Sequence, residues 1–472
     1  MGKIGQGRPQ SIANVRGLSN ALLLEALSRY LPPELLVEAL ARTGRGESRI
    51  RKLPAKAVLW LVIAIGLWGD LDISAIWRQV AGTLRTLWLV ARGQRPPCKS
   101  ALSQARTRLG ARPLRQLFVA TAQPAATSKT RGAFYRGMRL LLIDGQKLSV
   151  PDTPANARAF GKLSTTRYGQ EVLGGYPQVT TVRLVEAGTH LSVAALLNPA
   201  KAAEYPLAAA LLAKVQPGDL VLWDRGYYGY SLLRNALDQG TQVLGRVSSQ
   251  VLFARVQTLP DGAYLADIYP WHCHKHRRAR AVRVRVLEYT LDDPDRPGHG
   301  ERHRLVTTLL DADQFPALEL IVLYHQRWEI EIANDEIVTH QLARPVDLRS
   351  RTPCGVVQEF YGTLLAHNAV RSLMLQAATR LDIDPRQLSF MHAVRVIRET
   401  IPLLRAAPTA QLPGLYQAML HHIGTRRLPP RDGRINPRVV KLKMSNFKKK
   451  RPKHCHLRHP RRPFAESVVM LK

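Results

Sequence analysis

Cysteine is scarce in this 472-residue chain. Only Cys98, Cys273, Cys354 and Cys455 occur, too scattered to frame a disulfide scaffold, and this points to a reducing cytoplasm. Long apolar runs are missing as well. The longest, Ala57 to Gly69, has 13 residues where a membrane-spanning helix needs about 20, so no membrane span is expected and a buried core helix is. The opening Met1 to Pro9 carries charge without an apolar segment behind it, so no secretory signal is read there. A Walker-type glycine loop is absent too, which argues against ATP hydrolysis as the driving reaction. Acids are the remaining shortage: 35 Asp plus Glu face 69 Lys plus Arg, a net +34 at pH 7. Such a field attracts polyanions and makes their binding salt-dependent. With a membrane set aside, nucleic acid is the expected partner.

The apolar share of 45% is ample for folding, and the length predicts two to four structural units. Residues 1–130 read as a helical, DNA-binding N-terminal domain, with helices over Leu18 to Arg29, after Pro32-Pro33, and over Ala55 to Trp68. Within it, Ile73 to Val80 and Lys99 to Leu109 are candidates for a bipartite DNA-reading unit. The second offers Lys99, Ser103, Gln104, Arg106 and Arg108, although the 18 residues between the two exceed a tight helix-turn-helix. From Gly137 the pattern turns to β-rich runs at Met138 to Ile143, Gln146 to Val150, Gln178 to Val185 and Leu191 to Leu197. A helix at Tyr205 to Val215, a strand at Leu220 to Trp223, a helix near Tyr230 to Leu237 and a strand at Thr241 to Val247 follow. Strands separated by helices predict a mixed α/β sheet, in which functional groups gather where carboxyl ends of neighbouring strands meet.

Residues 248–317 read as a β-rich insertion in which Ala281 to Leu291, alternating apolar and charged, is expected to be half-buried. The catalytic core therefore comprises 137–247 and 318–375, the latter beginning with a helix over Leu318 to Leu342. Residues 376–472 form a C-terminal helical region that loosens after Pro402 and a basic tail. From His421 to Lys472 that tail holds 16 Lys or Arg against two acids, Asp432 and Glu466, so it is expected to be solvated until it meets a polyanion.

Two apolar strands each end on an aspartate, Asp144 after Leu140-Leu-Leu-Ile143 and Asp224 after Leu220-Val-Leu-Trp223. Downstream, at roughly 100° per residue, Tyr324, Arg327, Glu331 and Asp335 share one helical stripe from which Glu329 and Glu336 diverge. Glu331 is then the third carboxylate and Asp335 its reserve. Moving a phosphodiester requires a hydroxide-like nucleophile and a stabilised 3′ leaving oxygen, and two divalent ions supply both. Mg²⁺, with Mn²⁺ as an alternative, suits such a site because it takes few carboxylates and keeps waters and phosphate in its shell. Arg327 is placed to hold a phosphate bidentately and Tyr324 to donate to the next.

Asp144-Gly145, the loop Val150 to Gly161, Trp223-Asp-Arg-Gly-Tyr-Tyr-Gly229, and Leu305 to Asp311 leading to Tyr324-His-Gln-Arg-Trp-Glu-Ile-Glu331 occur in an order that resembles DDE transposases of the insertion-sequence-four type. The resemblance covers nearly the whole chain. It implies an α/β fold with a ribonuclease H-like mixed sheet interrupted by the β-rich insertion, between a helical N-terminal domain and a helical and basic C-terminal region. It also implies Asp144, Asp224 and Glu331 as the catalytic, metal-holding triad. The partners it implies are double-stranded DNA, as terminal inverted repeats and as target, and a second copy of the chain in a homodimer in the bacterial cytoplasm. The family signature places a lysine seven residues after the glutamate, where this chain has Val338, with His340 a partial substitute; Gln146 stands where relatives carry Thr or Ser.

Val338 motivates the main alternative, a catalytically impaired DNA-binding copy or repressor. A nuclease that cuts without joining is the other. Trp271 to His276 and His454 to His459 lack the paired spacing of zinc sites and read as basic, DNA-facing loops. Trp271 is also a candidate to stack on an extruded base. Asp152 and Asp219 read as turn residues.

Overall fold

The computed structural model describes residues 30–47, 52–86, 95–167, 170–270, 281–296, 298–342, 346–429, 439–440, 447–448 and 462–471. The expected helix at Leu18 to Arg29, Trp271 to His276, His454 to His459 and most of the basic tail lie outside these residues.

The central strand β1 (Met138–Ser149) carries Leu140 to Ile143 fully buried, as a strand covered on both faces requires. Around it lie β2 (Gln178–Glu186), β3 (Ser192–Pro199), β4 (Leu220–Trp223) and β5 (Gln242–Arg246). Their order in the sheet is β3-β2-β1-β4-β5, with β2 antiparallel to β1 and with β4 and β5 parallel to it. This mixed arrangement is the ribonuclease H-like sheet. Crossovers α6 (Glu204–Leu212) and α7 (Tyr230–Asp238) bury Leu207, Leu211, Leu232 and Leu233 against its strands. The two runs expected at Met138 to Ile143 and Gln146 to Val150 are one strand. β2 pairs with β1 from Leu141 to Ser149, so the ladder passes through Asp144 without interruption.

The insertion is a continuation of the same sheet. Its strands β6 (Arg255–Thr258), β7 (Tyr264–Ile268), β8 (Val282–Leu291) and β9 (His303–Thr307) extend it in the order β5-β9-β8-β7-β6. β8 is almost wholly buried where a half-buried strand was expected, because its charges are paired. Arg285 donates to the Phe315 carbonyl at 2.6 Å and meets Asp261, and Glu288 accepts from Tyr264 Oη at 3.0 Å and lies 2.6 Å from Arg304. The end of the tail is docked as well: Val468–Met470 pairs with β8, and Phe464 sets its ring against His325 at 3.6 Å between centroids. A stretch expected to be solvated thus ends as a strand.

The N-terminal and C-terminal helices share one apolar core running from Leu31 to Ile423. It includes α1 (Pro33–Arg42), α2 (Ala55–Leu67), α3 (Ile73–Thr86), α4 (Lys99–Leu109) and α5 (Arg112–Thr121). The long apolar run is, as expected, the buried helix α2. No described helix is long and apolar enough to cross a membrane. After the insertion come α8 (Ala317–Tyr324), a 3₁₀ turn at His325–Arg327, α9 (Trp328–Asp335) and a π-helical turn at Glu336–Leu342, where one continuous helix was expected. The π-helical turn rests on α10 (Pro353–Leu381), while α8 and α9 pack against the sheet. Helix α11 (Phe390–Ala406) passes through Pro402 and is followed by α12 (Leu412–Thr425), so regular structure persists beyond the point where loosening was expected. Pro402 is exposed, and buried Ile397, Ile401 and Leu404 hold the opposite face.

Beneath α9 lies a buried set of charges that anchors it. His190 Nε2 is 2.7 Å from Glu329 Oε2, Arg371 Nε donates to Glu336 Oε2 at 2.8 Å, and His367 Nε2 is 3.1 Å from the same oxygen. Burial opposes ionisation of Glu336, but Arg371 and His190 outweigh it and hold its carboxyl well below the usual range. Burial pushes His367 down to about 4.

Two measurements probe this packing. A Cβ on Gly362 of α10 would stand 2.7 Å from the Val62 carbonyl of α2, so Gly362→Val costs on the order of 1–3 kcal/mol by overpacking, measurable by denaturant unfolding. His367 binds its proton only in the unfolded chain between pH 6.5 and about 4. The stability it contributes is therefore present above pH 6.5 and lost as pH falls towards 4, by up to about 1.4 kcal/mol for each pH unit crossed. His367→Gln should show a thermal midpoint less sensitive to acid across that interval, and an unchanged slope would contradict the assignment.

Candidate active site

The parallel pairing of β1 with β4 ends at Ile143 opposite Trp223. The next residue on each strand is an aspartate, so Asp144 and Asp224 stand side by side. Asp224 does end its strand; Asp144 lies inside the longer β1, at the level where its neighbour stops. A strand's end is set by its partner, which sequence patterning at one strand cannot report. Asp224 Oδ1 accepts from the Arg225 N–H at 2.7 Å, capping the 3₁₀ turn Arg225–Tyr227, and Asp144 Oδ1 accepts from Gly145 N–H at 2.9 Å.

The Trp223 carbonyl, freed where β4 ends, accepts from Tyr324 Oη at 3.3 Å, which seats the end of α8 on the aspartate pair. One turn on, Arg327 Nη2 donates to Glu331 Oε1 at 2.8 Å. Burial works against the charge of Arg327, but Tyr324, Asp224 and Glu331 more than offset it and keep the guanidinium firmly charged. Burial, reinforced by Glu331 and Glu204, raises Asp144 to about 6 against the pull of the Gly145 N–H and Arg327. The three carboxylates and Arg327 therefore share one electrostatic neighbourhood.

Glu204 is a fourth carboxylate there that sequence reasoning missed. It opens α6 and accepts from Tyr227 Oη at 3.1 Å. A Cβ at position 145 would come 2.2 Å from its carboxylate. The glycine after Asp144 was the available signal, since a missing Cβ beside an acidic strand residue marks a close approach.

Other expectations resolve differently. Asp335, the reserve ligand, is exposed and lies 3.4 Å from His340, while Glu329 and Glu336 point into the buried charge set as the helical phase implied. His340 is thereby drawn to Asp335. Val338 packs against the helical core rather than facing the carboxylates. Asp152 forms a 2.7 Å ion pair with Lys162 instead of closing its own turn, whereas Asp219 accepts from Gln216 N–H at 2.8 Å as a turn residue does. On α4, Lys99, Ser103 and Gln104 are exposed. Arg106 is not available to DNA: its guanidinium turns inward to Gln358 Oε1 at 3.2 Å, Ser350 Oγ at 2.9 Å and the Gly355 carbonyl at 3.2 Å. Those acceptors come from residues some 250 positions away, so only the fold could reveal them. Cys98 and Cys354 are free.

The donor set is all oxygen, which suits a hard divalent cation. A cation would also favour the ionised form of Asp144, which burial first and the neighbouring carboxylates second disfavour. Among the described residues no three His, Cys, Asp or Glu side chains are drawn together tightly enough to hold an ion by themselves. An ion here would take most of its shell from waters and substrate phosphate, as Mg²⁺ commonly does.

Two families match the chain: Insertion element 4 transposase N-terminal over residues 22–119 and Transposase DDE domain over residues 135–369. Transposase InsG for insertion sequence element IS4, from Escherichia coli strain K12, is 31% identical over 89% of this chain and 92% of its own length. Putative transposase InsZ of the same organism is 27% identical over 46% of this chain and 68% of its own. Among solved structures, a piggyBac transposase synaptic complex with hairpin DNA matches 86% of this chain and 85% of its own at 12% identity and TM-score 0.41, a loose likeness. With the two matched segments together spanning helical region and sheet, the chain belongs to the IS4-type family of DDE transposases.

Proposed function

We propose that Asp144, Asp224 and Glu331 are the catalytic carboxylates of this DNA transposase and that they hold Mg²⁺, with Mn²⁺ able to replace it. The observation that carries the reading is the register Ile143 opposite Trp223, which sets the two aspartates side by side beneath the Arg327–Glu331 pair. When bound, the metal makes water or a 3′ hydroxyl a strong nucleophile and stabilises the departing 3′ oxygen. The chain's own residues do the rest. Were Glu331 to hold a cation, Arg327 would be free to turn its fork to two phosphate oxygens. Tyr324, anchored on Trp223, fixes the helix end that presents them. With Val338 turned to the core, the phosphate grip rests on Arg327, because the single O–H of Tyr324, expected to donate to a phosphate, is given to the Trp223 carbonyl.

Cleavage frees a 3′ hydroxyl at the element end by adding water across the phosphodiester. Joining replaces one phosphodiester with another, so it needs no nucleotide cofactor. Lys99 on the open face of α4 is the proposed contact to element-end DNA, and two copies of the chain hold two ends in a homodimer.

Asp144→Ala, Asp224→Ala and Glu331→Ala should each lower cleavage of an element end by at least about a thousandfold while binding of that end persists. Near-normal cleavage by any one removes that residue from the set. With pre-cleaved ends, target DNA and Mg²⁺, the wild-type chain should yield joined products; cutting without joining would make it a nuclease.

A further inference from the structure

Asn334 sits three residues after Glu331 on α9, outside the carboxylate set itself. Its Nδ2 donates to Asp144 Oδ2 at 3.3 Å, and its Oδ1 accepts from Arg183 Nη2. Arg183 is the residue directly across the β1–β2 ladder from Asp144, so both side chains rise from the same face of the sheet. It is buried, and Nη1 is committed to Ser192 Oγ at 2.9 Å. A guanidinium has only donors, so the amide of Asn334 must turn its oxygen to Arg183 and its NH₂ to Asp144. The amide cannot flip without losing both contacts. Asp144 then has one donor on each oxygen, Gly145 N–H on Oδ1 and Asn334 on Oδ2. The same bond ties the strand that carries Asp144 to the helix that carries Glu331.

We propose that Asn334, oriented by Arg183, is a positioning residue that fixes the rotamer of Asp144 and its placement relative to Glu331 for metal binding. The inference rests on the reading of Asp144 as a metal ligand. Groups that hydrogen-bond to ligating carboxylates fix their orientation, and their loss typically weakens metal affinity or activity about 10- to 100-fold. Without Asn334, the Asp144 carboxylate is restrained on one oxygen only. More metal is then needed to capture it, and DNA binding is untouched.

The test titrates Mn²⁺ calorimetrically into the full-length chain bound to pre-cleaved end DNA, for wild type, Asn334→Ala, Asn334→Leu and Asp144→Ala. The leucine variant keeps the side-chain volume while removing both polar contacts. In both Asn334 variants the Mn²⁺ affinity should fall about tenfold. The Mg²⁺ concentration for half-maximal cleavage should rise by a similar factor, with the rate largely regained at high Mg²⁺. Unchanged Mn²⁺ affinity and Mg²⁺ requirement in a folded Asn334 variant would overturn the proposal, whatever its thermal midpoint. Failure of both variants to fold would make Asn334 structural and overturn it too. Were Asp144→Ala itself to bind Mn²⁺ normally, the assignment of Asp144 as a ligand would fail, an outcome separate from a silent Asn334.

Discussion

The parallel register between the central strand and its neighbour is the constraint on which the site depends. Ile143 lies opposite Trp223, so the residues that follow, Asp144 and Asp224, are placed abreast at the edge where one strand stops and the other continues. Side chains alternate faces along a strand, so a slip of one residue would turn one aspartate to the wrong side of the sheet. What fixes the register is apolar: Leu140, Leu142, Leu220 and Leu222 belong to one buried cluster, and Leu141, Ile143, Val221 and Trp223 to the other. Polar chemistry at the strand ends is thus aligned by packing on both faces of the sheet.

Charge is then sorted by environment along one short stretch of helix. Glu329 and Glu336 are buried and matched by His190, His367 and Arg371, which hold the helix down; Glu331 between them is half-exposed and answered by Arg327, at the edge of the aspartate pair. Breaking a buried ion pair typically costs about 3–5 kcal/mol, whereas a partly solvated pair such as Arg327–Glu331 can exchange its partner for metal and phosphate. The same residue type therefore serves as anchor at two positions and, in the proposed reading, as reactive group at one. In a chain of net charge +34 this local surplus of carboxylates stands out. DNA is drawn to the surface by the overall field, and a cation held by the proposed carboxylates would let its phosphate approach them.

Much of this was legible in the residues. Apolar runs ending on Asp144 and Asp224 marked the strands, and the helical phase separated Glu331 from Glu329 and Glu336, because both signals are local. Readings that depended on distant partners went astray. Arg106 looked like a DNA contact until Gln358 and Ser350 claimed it, and the charges of Val282–Leu291 looked solvent-facing until Asp261 and Arg304 paired them. Asp144 looked like a strand end because the apolar run stops there, whereas the strand continues through it and Gly145 accommodates Glu204. Val338 breaks the family pattern in sequence, and in the fold it serves the helical core.

The central claim is that Asp144, Asp224 and Glu331 surround one divalent-metal locus. Its most direct measurement replaces the metal with Fe²⁺ in the full-length chain on end DNA, generates hydroxyl radicals with ascorbate, and maps backbone cuts by mass spectrometry. Cuts confined to the neighbourhoods of residues 144, 224 and 331, and suppressed by excess Mg²⁺, are the result expected. Cuts absent from one of the three, or clustered elsewhere in the chain, would contradict the account.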